Sequence, residues 1–343
     1  MSENSLYRKY RPAKFAEVLG QDHIVKVLES SIELGNIAHA YIFSGSRGTG
    51  KTSVARIFAK EIGTSANDIY EIDAASNNGV DEIRALNEAV STLPFDSKYK
   101  VYILDEAHML SKGAWNALLK TLEEPPAHVI FILATTEAEK IPDTVVSRCQ
   151  TFSFKRPTHK ILKDVVVRIA KKEGFELEPS SSDMIALLGD GSFRDAQSIL
   201  QKVISASKDK KISVEEVALV TGAPRGETIN NFIKALDEGN IELGLSAVAD
   251  AEKSNLDMLL YFKMILLKMR QILLLRNAKN LEDILKEEMT DTDFAFLSGI
   301  ANKSTSKITS KTLYDLLGYY DMVAKAYIPC LPLELVLVRI INN

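Results

Sequence analysis

Gly45-Ser-Arg-Gly-Thr-Gly50-Lys51-Thr52 is the stretch on which the fold turns. It fits GxxxxGK[ST], and its flanks meet the structural requirement of that pattern, with the strand-like run Tyr41-Ile-Phe-Ser44 before it and a helical pattern over Thr52–Ile62 after it. Glycines at 45, 48 and 50 let the backbone N–H groups, with Ser46, Arg47 and Thr49 between them, curl round phosphate oxygens at the positive end of a helix. Lys51 is expected to hold β- and γ-phosphates and the Thr52 hydroxyl to ligate Mg²⁺. A chance Gly-rich turn is the competing reading, and the strand and helix on either side disfavour it.

Working outward, Val101-Tyr-Ile-Leu-Asp105-Glu106-Ala-His108 is an apolar strand ending in two carboxylates. Asp105 at the strand tip suits Mg²⁺, usually through water, and Glu106 suits polarising an attacking water. Alone, such a pair is as often a helix cap; behind a phosphate loop, catalysis is the stronger reading. Guanine-specific NKxD sequences are absent, which favours ATP. A third strand, Val129–Ala134, ends in Thr135-Thr136, where a hydroxyl either senses the γ-phosphate or caps the strand end. Ser147-Arg148-Cys149 follows. Farther on, Gly191-Ser-Phe-Arg194-Asp195 places an arginine at a helix start, against the helix dipole, a cost that a phosphate partner offsets.

Strand candidates are therefore 41–43, 69–72, 101–104 and 129–133, with helices expected over 24–34, 52–62, 80–90 and 113–122. Apolar strands alternating with helices predict a parallel sheet covered on both faces. After about Pro157 strands are expected to stop, and a breaker cluster, Thr221-Gly-Ala-Pro-Arg-Gly226, marks a second boundary. This gives an α/β domain over 1–157, a small helical domain over 158–221 and a helical C-terminal domain over 222–343. In the last, Leu256–Leu275 is apolar on more than one face, as either a core helix or a subunit contact would be.

Composition narrows the class. The chain has 343 residues, 46% hydrophobic and 26% charged, with a net charge of −4. That supports several cores and argues against a chain that simply coats polyanions. No run of about 18 apolar residues predicts a membrane span. Two cysteines, Cys149 and Cys330, and no CxxC exclude a metal knot or a secreted disulfide scaffold. Met1-Ser-Glu-Asn lacks a leader pattern, so the expected location is the cytoplasm. His39 and His108 lack a partner pattern for metal or nucleophilic catalysis, and Cys149 reads as a small buried hydrophobe.

These residues resemble one family: the AAA+ clamp-loader ATPases, and within them the gamma/tau (DnaX) subunits of bacterial DNA polymerase III. The likeness is carried by Leu6-Tyr-Arg-Lys-Tyr-Arg-Pro12, His39-Ala-Tyr-Ile-Phe-Ser-Gly45, Glu71-Ile-Asp-Ala-Ala-Ser76, Asn116-Ala-Leu-Leu-Lys-Thr-Leu-Glu-Glu-Pro-Pro126, Leu133-Ala-Thr-Thr136 and Ser147-Arg-Cys149. It is strong over residues 5 to about 200 and architectural beyond. It implies an AAA+ domain with a five-stranded parallel sheet, a helical lid and a helical oligomerisation collar. It also implies Arg148 as an arginine finger acting in trans, Arg194 as a second sensor on the γ-phosphate, and Thr136 as the first sensor. Tyr7–Val18 would form the purine-side wall, with Pro12 and Val18 as contacts. The basic residues Arg8, Lys9, Arg11 and Lys14 would lie by the nucleotide and the subunit seam rather than on DNA.

The implied task is ATP-driven opening of a sliding clamp and its placement on primer-template DNA at the replisome. The implied partners are further copies of the chain, delta- and delta-prime-like chains, the clamp, DNA and, indirectly, single-strand-binding protein. Arg84, on a helix opened by Asn77-Asn78-Gly79, is a candidate DNA contact; a solvated arginine paired with Asp81 or Glu88 explains it equally well. Two departures stand out. Family members usually carry a four-cysteine zinc module between the first helix and the second strand. Here Glu61–Asp68 holds no cysteine or histidine, so no zinc is expected. The chain also ends at Asn343, resembling a gamma-like form without the tau extension. Two rival functions remain: another AAA+ motor, such as a Holliday-junction helicase motor or a helicase loader, and a non-hydrolysing scaffold subunit, which typically has an eroded phosphate loop.

Overall fold

The computed structural model of the protein describes residues 5–207, 209–224, 226–254, 256–287 and 289–342. The first four residues and Arg225 of the breaker cluster lie outside that set. The chain divides into two compact units: one runs to Ile169 and adds Ala186–Gln201, the other holds Ala170–Ile185 and the residues from Lys202 onward.

The first unit is built on a parallel sheet. Its elements in chain order are α1 (Leu6–Lys9), α2 (Asp22–Glu33), β1 (Ala40–Ser44), α3 (Lys51–Glu61), β2 (Ile69–Asp73), α4 (Val80–Val90), β3 (Lys100–Asp105), α5 (Lys112–Glu123), β4 (Val129–Thr135), α6 (Asp143–Val146) and β5 (Gln150–Ser153). The strand order is β2-β3-β4-β1-β5, every pair parallel. Side chains alternate faces along each strand, so each run feeds two cores. Ile42, Tyr102, Leu104, Phe131 and Leu133 pack under α4 and α5 with Leu86, Trp115 and Leu118. Tyr41, Phe43, Val101, Ile103 and Ile132 pack with Leu28, Val54 and Phe58 of α2 and α3. With both faces covered, the central strands are apolar throughout, which is why they were legible as continuous runs.

The fifth strand was not among the four located from sequence. Gln150-Thr-Phe-Ser lies at the sheet edge beside β1 and is largely exposed, so its pattern is polar and short. The register brings Ser44 level with Thr135 and with Ser153, and Asp73 level with Asp105. The carboxyl ends of the strands thus form one rim, where ligands of open parallel sheets bind.

Between α3 and β2, the wholly buried Asp68 accepts the backbone N–H groups of Phe95 (2.6 Å) and Asp96 (2.9 Å). This carboxylate holds a turn whose side chains Leu93 and Phe95 are 79% and 81% exposed.

Helices α7 (His159–Lys172), α8 (Pro179–Leu188) and α9 (Phe193–Ala206) contribute to both units. The second unit contains a two-residue parallel ladder, β6 (Glu176–Leu177) with β7 (Lys211–Ile212), which corrects the expectation that strands stop after Pro157. Two residues are too few to carry a strand period. It continues with α10 (Val214–Thr221), α11 (Gly226–Glu238), α12 (Ile241–Lys253), α13 (Met258–Asn277), α14 (Glu282–Glu287), α15 (Asp291–Ala301), α16 (Ser310–Val323) and α17 (Leu331–Asn342). A Ser213–Glu216 capping box opens α10, and left-handed Gly222 closes it.

Helix α13 is the centre of this unit. Tyr261, Phe262, Ile265, Met269 and Ile272 are wholly buried, against α11, α15 and α16, so its apolar faces serve the core. Lys268 on the same helix is buried and donates to Asp293 Oδ1 (2.6 Å) and Asn230 Oδ1 (2.9 Å). Among the described residues no helix is long and apolar enough to cross a membrane.

Candidate nucleotide site at the strand ends

The loop after β1 is built as its sequence demands. Gly45 N–H bonds the carbonyl of Thr135, and Thr49 Oγ1 bonds that of Ser46. Gly50 has φ +102°, a left-handed turn that starts α3, and Gly48 has φ +73°. A Cβ on Gly48 would stand 2.0 Å from Ser192 Oγ, because Phe193 N–H, at the start of α9, bonds the Gly48 carbonyl at 2.9 Å. Glycine is thus required at 48 for both conformation and close approach. The Ser46 hydroxyl is buried with no hydrogen-bond partner among the described residues, whereas Arg47 is exposed.

Lys51 is nearly buried and donates to the carbonyls of Gly45 (2.7 Å) and Ser46 (3.0 Å). Burial pulls its ammonium below the usual lysine range; Glu106 and Asp105 act against this, and Arg194 adds to it. Thr52 Oγ1 donates to Asp105 Oδ2 at 2.9 Å. Asp105 Oδ1 in turn accepts the N–H of Glu106, whose backbone is left-handed (φ 48°, ψ 44°). Thr136 Oγ1 donates to Glu106 Oε2 at 3.2 Å. Its neighbour Thr135 is buried and accepts the N–H of Glu137, so the two threonines divide the alternatives: one closes the strand-end turn, the other faces the carboxylate. Lys51, Thr52, Asp105, Glu106 and Thr136 therefore converge on one rim.

Other candidates are placed around it. Arg194 lies over the Tyr7 ring, its guanidinium carbon 5.6 Å from the centroid. Pro12 is half-buried, and Val18 packs on the core of α2 and α3. Arg148 donates to Thr144 O (2.6 Å), Ser147 Oγ (3.2 Å) and Glu123 Oε1 (2.7 Å), so its recorded bonds go to α6 and the end of α5 rather than to the loop. Arg84 pairs with Asp81 Oδ1 at 3.1 Å, both strongly exposed, in the solvated arrangement weighed above. Cys149 is half-buried against the α4–α5 core, and desolvation pushes its thiol up to about 11.

Of three further participants, Gln21 and His108 were missed in sequence, while Arg11 was expected near the nucleotide only through the resemblance. Wholly buried Gln21 donates to Lys155 O (2.7 Å) and accepts Lys155 N–H (3.1 Å), fixing the segment before α2 to the end of β5. Arg11 is drawn below the ordinary arginine range by burial and by Arg56, Arg194 and Arg8, with Glu71 opposing: several guanidiniums share one neighbourhood. The third, His108, contacts Thr135, Glu106 and Glu137. The first two have partners far away in sequence; for His108 the Asp-Glu-x-His spacing was a usable signal.

A family model described as DNA polymerase III, delta subunit, matches residues 20–77 and 62–158. The tau subunit of DNA polymerase III from Bacillus subtilis is 41% identical over 95% of this chain and 60% of its own length. The gamma/tau subunit from Mycoplasma genitalium is 43% identical over 73% of this chain and 46% of its own. The chain belongs to the gamma/tau family. It spans less than two thirds of the length of these gamma/tau relatives. Among solved structures, the Thermotoga maritima RuvB Holliday junction branch migration motor aligns with TM-score 0.54 and 24% identity, over 66% of this chain and 79% of that one. At that identity the likeness is one of fold, and it is the AAA+ fold expected for a gamma/tau chain.

Proposed function

We propose that this chain is an ATP-driven subunit of a bacterial sliding-clamp loader, hydrolysing ATP at subunit seams to open the clamp and place it on primer-template DNA. The observation that carries the reading is the convergence of Lys51, Thr52, Asp105, Glu106 and Thr136 on the sheet rim, in a chain of the gamma/tau family. The rim fits a magnesium nucleotide. Left-handed glycines at 48 and 50 curl its loop, the buried Ser46 hydroxyl has no partner among the described residues, and Lys51 is buried with loop carbonyls rather than a carboxylate bonded to it.

Lys51 and the loop N–H groups would bind the β- and γ-phosphates, Thr52 and Asp105 would hold Mg²⁺, and Pro12 and Val18 would flank the base. Magnesium would offset charge on the β- and γ-phosphate oxygens. Glu106 would orient the attacking water and take its proton. Thr136 and Arg194 would report on the γ-phosphate. Arg148 would release Glu123 and act on the nucleotide of an adjacent subunit, an effect of about 10³–10⁵ in rate where such fingers operate.

The three-part division into AAA+ domain, lid (158–221) and collar (222–343) remains our functional partition. The proposed partners are other copies of the chain, delta- and delta-prime-like chains, the clamp and primer-template DNA, with single-strand-binding protein met indirectly. We place the chain at the cytoplasmic replisome, without zinc, and keep Arg84 as a DNA contact.

The decisive experiment measures ATP turnover with and without companion subunits, clamp and primed DNA. Turnover should rise when all are present; indifference to clamp would overturn the loader reading. The fold likeness to RuvB supports a second reading, a different AAA+ DNA motor, which predicts stimulation by DNA without clamp. Intact Lys51, Thr52, Asp105 and Glu106 disfavour a scaffold subunit, which should bind no nucleotide. Arg148→Ala should keep nucleotide affinity but stop turnover in mixed assemblies; lost affinity in the same chain would refute action in trans.

A further inference from the structure

Glu106 occupies an uncommon backbone state. A non-glycine residue in the left-handed region is strained and persists only where its surroundings impose it. The main chain supplies part of that constraint, through Glu106 N–H to Asp105 Oδ1 and Met109 N–H to the Glu106 carbonyl. The carboxylate itself, about a third exposed, accepts the Thr136 hydroxyl on Oε2.

His108, with a side chain only 6% exposed, approaches the same oxygen. One ring nitrogen, Nδ1, is 3.1 Å from Thr135 Oγ1 and 3.6 Å from Glu106 Oε2. The opposite nitrogen, Nε2, is 3.1 Å from Glu137 Oε1. Glu137 is bound in turn by Lys140 at 2.8 Å, and this hydrogen bond holds its carboxyl below the usual range. Thr135 and Glu137 by themselves would satisfy a structural histidine. Here the ring also approaches the carboxylate at the centre of the rim, so that Glu106, His108, Glu137 and Lys140 form one chain of polar contacts leading to the loop before α6.

We propose that His108 is a positioning residue for Glu106, its imidazole and the Thr136 hydroxyl together fixing the carboxylate through Oε2, and that it ties Glu106 to Glu137 on the loop that leads to α6. The inference rests on the reading of Glu106 as the group that activates water, and it adds a residue whose work is orientation. Small misplacements of a reacting group lower rate far more than affinity. Loss of the imidazole should therefore act on turnover.

The test uses the full chain. In the clamp-stimulated assembly, His108→Asn should lower kcat by about tenfold to a hundredfold, with KM and nucleotide affinity within about twofold. Glu137→Gln should lower kcat less. The second readout is the ¹⁵N imidazole spectrum of histidine-labelled chain, which carries five histidines and is assigned through His108→Asn. The His108 ring signals should move in Glu106→Gln and in Glu137→Gln. If Glu106→Gln stops turnover while His108→Asn retains full kcat, or if the His108 ring is blind to Glu106→Gln, the positioning role is overturned and the hydrolysis reading survives. If Glu106→Gln itself retains full turnover, the reading of Glu106 falls and the inference falls with it.

Discussion

Among the described residues three lysines lie almost wholly out of water, Lys51 (6% exposed) and Lys100 (4%) in the first unit and Lys268 (7%) in the second, and Lys51 and Lys268 make the sharper comparison. Lys268 is closed on itself: a carboxylate at 2.6 Å and an amide oxygen at 2.9 Å meet its charge. Lys51 has two carbonyls of its own loop, carboxylates nearby but not bonded, and an arginine adding to its discomfort. A buried cation matched by an anion is structure. Dipoles can also hold one, as the Ala89 carbonyl and Thr92 hydroxyl hold Lys100 beside the rings of Tyr70 and Tyr102. What sets Lys51 apart is that its two carbonyls belong to the glycine loop at the strand ends. The same contrast separates the pairs Lys303–Asp237 and Lys268–Asp293 of the second unit from the strand-end rim of the first.

The sharpest way to break this contrast is to remove each lysine in turn. Lys51→Ala should abolish ATP binding, by at least about a hundredfold, with little change in thermal melting. Tight binding of a fluorescent ATP analogue by that variant would refute the assigned loop. Lys268→Ala should cost about 3 kcal/mol in denaturant unfolding, the low end for a broken buried pair because Asp293 is a third exposed. Lys268→Met should recover most of that loss. If Lys51→Ala destabilised as much as Lys268→Ala, the two sites would be the same kind of site.

Asp68 sharpens the comparison from the acidic side. Burial alone would raise its carboxyl, but the N–H groups of Phe95 and Asp96 and contacts from Ser97 outweigh that and hold it below its ordinary value of 3.8. A depressed folded value means that its stabilisation is whole above the unfolded value and is lost as pH falls through the folded one. Wild type should therefore lose stability below about pH 4, and Asp68→Asn should show a shallower loss over that interval, after an initial cost of about 2 kcal/mol at neutral pH. An unchanged acid limb would remove Asp68 from the account. The smallest effect belongs to Arg84→Ala, whose exposed pair with Asp81 should move stability by less than about 0.5 kcal/mol.

What the sequence disclosed tracks how local each determinant is. The central strands are apolar runs because both their faces are covered, and the phosphate loop and the acidic strand end are fixed by spacing within a few residues. Beta strand β5 was hidden because an exposed edge leaves only Phe152 to mark it. Gln21 was hidden, and Arg11 was placed by the resemblance alone, because their meaning lies in Lys155 and in Arg56 and Arg194, residues that only folding brings near. Helix α13 could not be decided from its pattern, since a core helix and a contact helix bury the same residues; α11, α15 and α16 settle it as core. Arg84 shows the converse: its pairing was legible at a spacing of three, while exposure alone assigns it no ligand.

The turn over Asp68 has one more consequence. Its shape is set by main-chain N–H groups on a single hidden carboxylate, while the side chains of Leu93 and Phe95 project outward and bury almost nothing. The tip is therefore free to drift: lineages can rewrite those two positions without disturbing the scaffold beneath, provided that the aspartate stays.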